Sequence, residues 1–106
     1  FQRGKMHMFI IELTYIQPID IVEQWLASHK AYLQQHFASG EFIASGPKIP
    51  RDGGIIVCIA DRKSIQALIE EDPFYQQGIA EFRVREFEVS RHHDALKRLV
   101  DSDSSA

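Results

Sequence analysis

Residues 20–39, DIVEQWLASHKAYLQQHFAS, read as one amphipathic helix. At about 100° per residue, Val22, Trp25, Leu26, Tyr32, Leu33 and Phe37 form an apolar stripe, while Glu23, Gln24, Lys30, Gln34 and Gln35 take the other side. His29 projects near the centre of the stripe. A titratable ring aimed at the interior needs a hydrogen-bonding partner. Asp20, with Glu23 three residues on, predicts a capping box at the start. Gly40 predicts a left-handed C-terminal cap.

Strand patterns flank this helix. Over residues 8–15, Phe9, Ile11, Leu13 and Tyr15 share one face, and Met8, Ile10, Glu12 and Thr14 the other. Pro18 stops that strand. Residues 41–45 read as a second short strand, broken by Gly46-Pro47. A turn-rich loop over 46–54 carries Lys48 and Arg51. Residues 55–60 are apolar without interruption, which predicts burial on both faces. Asp61 is the expected cap of a second helix over 62–71 with the stripe Ile65, Leu68 and Ile69. Asp72-Pro73 ends it, because the residue before proline avoids the helical region. Residues 74–78 form a short connection, and 79–90 the last strand. Phe82 and Val84 share one parity there, and Phe87 and Val89 the other; a β-bulge near Arg85-Glu86 would turn all four inward, and a switch from one sheet to a neighbouring one also fits.

The order is β-α-β-β-α-β, a ferredoxin-like α+β fold with an antiparallel four-stranded sheet and two helices on one face. Helices can cover only one face, yet residues 55–60, Met8 and Ile10 make the other face apolar as well. A homodimer with sheets packed face to face is therefore expected. One domain spans 8–100. Residues 1–7 are expected to hold an appended leader, with Met6 or Met8 as the expected natural start, and residues 101–106 are expected to form a frayed polar tail.

Bulk composition narrows the class. The 106 residues are 44% hydrophobic, enough for one core. The net charge of −3 is interspersed, with no basic run to track phosphates, so no nucleic-acid partner is expected. No apolar run approaches the roughly 18 residues of a membrane span. No signal-peptide pattern precedes the first strand, so a cytoplasmic location is expected. The single cysteine, Cys58, cannot form an internal disulfide and reads as a buried small hydrophobe.

The candidate chemistry is acid–base. A carboxylate beside an imidazole orients the ring and fixes its tautomer, and the pair can then act as general base or acid. Asp72, held by Pro73, is the candidate partner for His29. Periodicity alone fits a structural inward histidine at least as well. Tyr15 at the end of the first strand, and Ser45, Gly46 and Pro47, are candidate substrate contacts. Phe74, with the 46–54 loop, is the expected roof of the pocket. His36, in the last helical turn, is explained by the helix dipole. His92-His93-Asp94 lacks ligand spacing, and Gly53-Gly54 lies in no phosphate-loop pattern, so neither a metal nor a cofactor is expected.

The run His29-Lys30-Ala31-Tyr32-Leu33, then Gly40, Ser45-Gly46-Pro47, and Asp72-Pro73-Phe74 with Gly78 four residues on, resembles the YCII-related (YciI-like) family. The resemblance covers residues 8 to about 89. It implies a dimeric α+β barrel of the muconolactone-isomerase-like kind. By motif position it also implies an active-site dyad of His29 and Asp72, and proton-transfer chemistry on small molecules. One relative is associated with dehydrochlorination of a chlorinated aromatic. Members often carry an arginine three residues before the histidine. Here that position is Leu26, so an anion contact is either missing or supplied by Lys48, Arg51 or Arg83.

The expected function is that of a small cofactor-independent enzyme, of isomerase or lyase type, acting on a small aromatic or anionic molecule. The alternative is a non-catalytic module that binds a small ligand or a partner. A monooxygenase-like enzyme on the same barrel is a third class.

Overall fold

The computed structural model describes residues 7–100. The expectations for 1–6 and 101–106 lie outside those residues. The chain runs β1 (His7–Tyr15), α1 (Ile19–Ala38), β2 (Phe42–Pro47), β3 (Gly53–Ile59), α2 (Ile65–Glu70), α3 (Pro73–Gln76), β4 (Ala80–Glu88), then a 3-10 turn (Asp94–Leu96) and α4 (Lys97–Val100). The four strands form one antiparallel sheet in the order β2-β3-β1-β4. This is the ferredoxin-like arrangement predicted from the hydrophobic periods.

Strand alternation sorts the faces. Phe9, Ile11 and Leu13 of β1, with Ile56 and Cys58 of β3, are buried under the helices. They join Val22 and Tyr32 of α1, Ile69 of α2 and Phe74 of α3 in one core. Burial pushes the Cys58 thiol up to about 11, aided by the charge of Glu41, so it stays a protonated core group. The opposite sheet face is more open. Ile55, Val57 and Ile59 are only half-buried, and Ile10 and Phe87 remain 37% and 44% exposed.

Several local expectations need correction. Asp20 does not cap α1; Pro18 holds the N-cap position and no side chain bonds there. Proline sets an extended entry (φ −59°, ψ 155°), and Asp20 falls inside the first turn, where its charge suits the helix dipole. The other end is a Schellman motif: Glu41 N–H reaches the His36 carbonyl and Gly40 N–H that of Phe37, with Gly40 at φ +92°. Phe37 of the predicted stripe is 38% exposed. Gly46-Pro47 does not break β2 but continues it, because β2 is an edge strand and proline there forfeits no ladder bond. The second helix starts at Ile65, not at 62; Asp61 instead accepts a turn bond from Ser64. No bulge interrupts β4 in its pairing with β1, from His7↔Glu88 to Tyr15↔Ala80. Phe82 and Phe87 therefore point to opposite faces. The register shift lies in β2, between Phe42 and Ala44.

Gly53 has a packing reason. Its φ is +155°, and an added Cβ would stand 1.7 Å from the Leu13 carbonyl oxygen. Only glycine lets β3 start this close to β1. The preceding turn is tied down where Tyr15 N–H donates to the Asp52 carbonyl at 2.8 Å.

Candidate active site

The site is built around a short helix that the sequence did not announce. Asp72 is extended (φ −72°, ψ 125°) and caps α3, its Oδ1 accepting the Phe74 amide at 2.9 Å. Pro73 takes the first helical position, where no N–H is needed. The cap turns Asp72 inward until it is fully buried. There the same Oδ1 accepts His29 Nδ1 from the middle of α1 at 2.8 Å. Oδ2 is buried with no partner among the described residues. The carboxylate thus depends on His29 and one amide for its hydrogen bonds.

The imidazole is fixed in plane as well as at one edge. Phe74 lies flat on it, centroids 4.1 Å apart and planes 2° from parallel. Tyr32 stacks nearby at 6.2 Å and donates its hydroxyl to the Leu68 carbonyl at 2.6 Å. Burial, and then the charge of Asp72, raise the Tyr32 phenol well above its ordinary range, so it remains a donor. Because a carboxylate accepts at Nδ1, the neutral ring carries its proton there and leaves Nε2 with a lone pair. Among the described residues, none hydrogen-bonds Nε2.

His29 is one wall of a cavity of about 360 Å³. Tyr15, Ser45, Gly46, Pro47 and Phe74, all predicted contacts, line it too. Asp72 does not; it stands behind the imidazole. Phe74 is not a roof, since it is 1% exposed and forms the inner wall on which His29 rests. Leu13, Leu26, Leu33, Ile55 and Ile56 make most of the remaining lining apolar. Leu26 thus offers apolar surface where the family resemblance expected an arginine.

Of the three cations considered as substitutes, only Arg51 reaches the cavity. Lys48 lies across the sheet, held by Glu12 at 2.9 Å, Thr14 at 3.0 Å and Asp52 at 3.4 Å. Arg83 pairs in register with Glu12 on that same far face. Lys30 lines the cavity although its helical position suggested the polar side. Its place directly after His29 was the available signal.

His36 also departs from expectation. It is buried, with Nδ1 on Glu41 at 2.6 Å and Nε2 on Glu71 at 2.8 Å. Side-chain carboxylates, rather than the helix dipole alone, are its partners. His93 accepts the Ala95 amide and caps the 3-10 turn. Among the described residues, no three His, Cys, Asp or Glu side chains are grouped to hold a metal. Nor is any described helix long and apolar enough to cross a membrane.

The family model for the YCII-related domain matches residues 8–88. The chain belongs to this family. Among solved structures, this YCII-related chain is similar to 5-chloro-2-hydroxyhydroquinone dehydrochlorinase (TftG) from Burkholderia phenoliruptrix AC1100, in complex with 2,5-dihydroxybenzoquinone. The identity is 21%, the TM-score 0.68, and the match covers 82% of this chain and 99% of that one. It is also similar to a point mutant of SnoaB, a cofactor-independent oxygenase from Streptomyces nogalater, at 9% identity, TM-score 0.49, and 86% and 99% coverage. No curated protein matches the chain. The first likeness shows the fold alone: that protein shares the ferredoxin-like α+β arrangement of the YCII-related domain described here.

Proposed function

We propose that this YCII-related protein is a small enzyme of isomerase or lyase type that moves a proton on a small molecule. His29 is the general base and acid, and Asp72 holds its ring. The observation that supports this most is the 2.8 Å bond between His29 and Asp72, both buried, at the wall of a cavity. An imidazole fixed at Nδ1 and stacked on Phe74 can meet a proton only through Nε2.

The chemistry follows. In an elimination, Nε2 takes a proton, the electron pair it leaves behind forms the new π bond, and the leaving group departs with its own pair. In an isomerisation, the imidazolium returns the proton to a different atom. Neither path requires a redox group or a covalent nucleophile. Tyr15, Ser45, Gly46, Pro47 and Phe74 shape the space for the substrate. A volume of about 360 Å³ suits a single small ring compound. The dehydrochlorinase with this fold performs an elimination, which makes its substrate a sensible first probe.

The functional unit we propose is a homodimer. Ile10 and Phe87 lie on the sheet face that the helices leave open. A second copy packed there would bury them.

Chloride release from 5-chloro-2-hydroxyhydroquinone tests the reading. We expect release that falls by at least about a hundredfold in His29→Ala, with the variant still folded. Equal rates for the two proteins contradict a role for His29. Unchanged ligand affinity in the absence of any turnover would favour the binding module instead.

A further inference from the structure

The charge of the cavity differs from the charge of the chain. The protein carries a formal −3, yet the cavity lining contains Lys30 and Arg51 and no aspartate or glutamate. The lining therefore carries two formal positive charges in a mostly apolar setting. Asp72 does not cancel them from within, because it is fully buried and placed behind the imidazole.

The two cations come from different elements. Lys30 follows His29 on α1, and Arg51 sits on the β2–β3 turn. Among the described residues, no acid is paired with Lys30. Arg51 has one acidic partner, Glu23, at 3.4 Å, and both side chains are about half exposed (44% and 56%). Such a surface pair is weak, and its acid lies outside the lining, so an incoming anion can replace it at little cost. Lys48, the other cation near the turn, is paired with Glu12 and Asp52 on the far face.

Arg51 is also tied to His29 through rings. Its guanidinium stands 6.0 Å from the Tyr15 centroid. Tyr15 meets Phe74 edge to face at 6.0 Å, and Phe74 stacks on His29 at 4.1 Å. Arg51, Tyr15 and His29 line the same cavity, so a ligand spanning it would present one end to Arg51 and the other to His29.

We infer that Lys30 and Arg51 select a flat, ring-containing anion as ligand, with a carboxylate or enolate oxygen directed at them and the reacting atom at His29. This deepens the proposed function and rests on the same cavity. It assigns substrate selection to two residues that take no part in the proton transfer itself.

A matched pair of probes separates charge from shape. Benzoate and benzamide have nearly the same size, and only benzoate is an anion. Each is titrated into isotope-labelled full-length protein, following the His29 ring and the Ser45 and Gly46 amides by NMR. We expect benzoate to bind at least about tenfold more tightly at about 50 mM salt, and the preference to narrow at about 500 mM. In Lys30→Gln/Arg51→Gln the preference should fall below about twofold, with benzamide affinity retained. Benzamide binding as well as benzoate, or a preference that survives in the double variant, overturns the inference while leaving His29 as base intact. If neither probe moves the His29 signals, the cavity is not a ring-anion site and the inference fails. Loss of the base role would show separately, as turnover that His29→Ala does not change.

Discussion

His29 and Asp72 stand 43 residues apart in the chain and meet at 2.8 Å in the fold. The oxygen that meets the imidazole also caps α3 through the Phe74 amide. One atom thus links the helix start that places Phe74 to the ring that Phe74 supports.

Because of that double duty, two substitutions at Asp72 should behave differently. Asp72→Asn keeps an acceptor for both donors and removes only the charge. We expect it to stay folded and to lose activity by about a hundredfold or more. Asp72→Ala abandons the buried Phe74 amide and the imidazole, and should lose a further 1–3 kcal/mol or so of stability in urea denaturation. Equal activity in wild type and Asp72→Asn would contradict the orienting role.

Phe74 should be needed for stability as well as for geometry. It is 1% exposed and stacks on His29. Phe74→Ala removes a core ring and its stacking partner's support, at a cost of about 3–5 kcal/mol. Urea unfolding measures this. A cost below about 1 kcal/mol would mean that the site closes over the gap.

The pH dependence of stability should carry the mark of His36. Burial opposes its charge, but hydrogen bonds to Glu41 and Glu71 outweigh that and raise its pKa above the ordinary value of 6.5. Hydrogen bonds from His36 and Ser39 hold Glu41 below the usual carboxylate value. A raised imidazole gives stability that is complete below its unfolded value and is lost as pH rises through the folded one. A lowered carboxylate gives stability that is complete above its unfolded value and is lost as pH falls through the folded one. Both contributions are whole between about pH 5 and 6.5. His36→Gln should therefore cost most near pH 6, about 1–3 kcal/mol, and progressively less towards pH 9. A difference that does not vary between those pH values would show that the clamp is not ionic.

Much of this was readable from the residues. Alternation in β1 identified Phe9, Ile11 and Leu13 as core, and the period of α1 turned His29 inward. The bulge predicted in β4 follows only if Phe87 seeks the core. It lies instead on the open face, which periodicity cannot distinguish from a buried one. Arg83 has the opposite parity to Phe82, so its absence from the cavity was legible. α3 was not, since four residues are too few for a helical period, and Asp72-Pro73 reads first as a stop. Lys48 and Arg51 are three residues apart in a turn, and only its three-dimensional path sends one to each side of the sheet.

Dimerisation is tested on the open face. Ile10, at 37% exposure, and Phe87, at 44%, neighbour the same strand pair. Sedimentation at micromolar concentration should show a dimer, and Phe87→Glu should shift it towards monomer by placing a charge in an apolar contact. A monodisperse monomer in the wild type contradicts this assembly.

The tautomer of His29 tests the proton-transfer role most directly. Long-range nitrogen–proton NMR of the neutral ring distinguishes a proton on Nδ1 from one on Nε2. We predict Nδ1–H with a bare Nε2, and an Nε2 signal that moves when 2,5-dihydroxybenzoquinone is added. A proton on Nε2, or a ring that ignores the ligand, would contradict the assignment of His29 as the base.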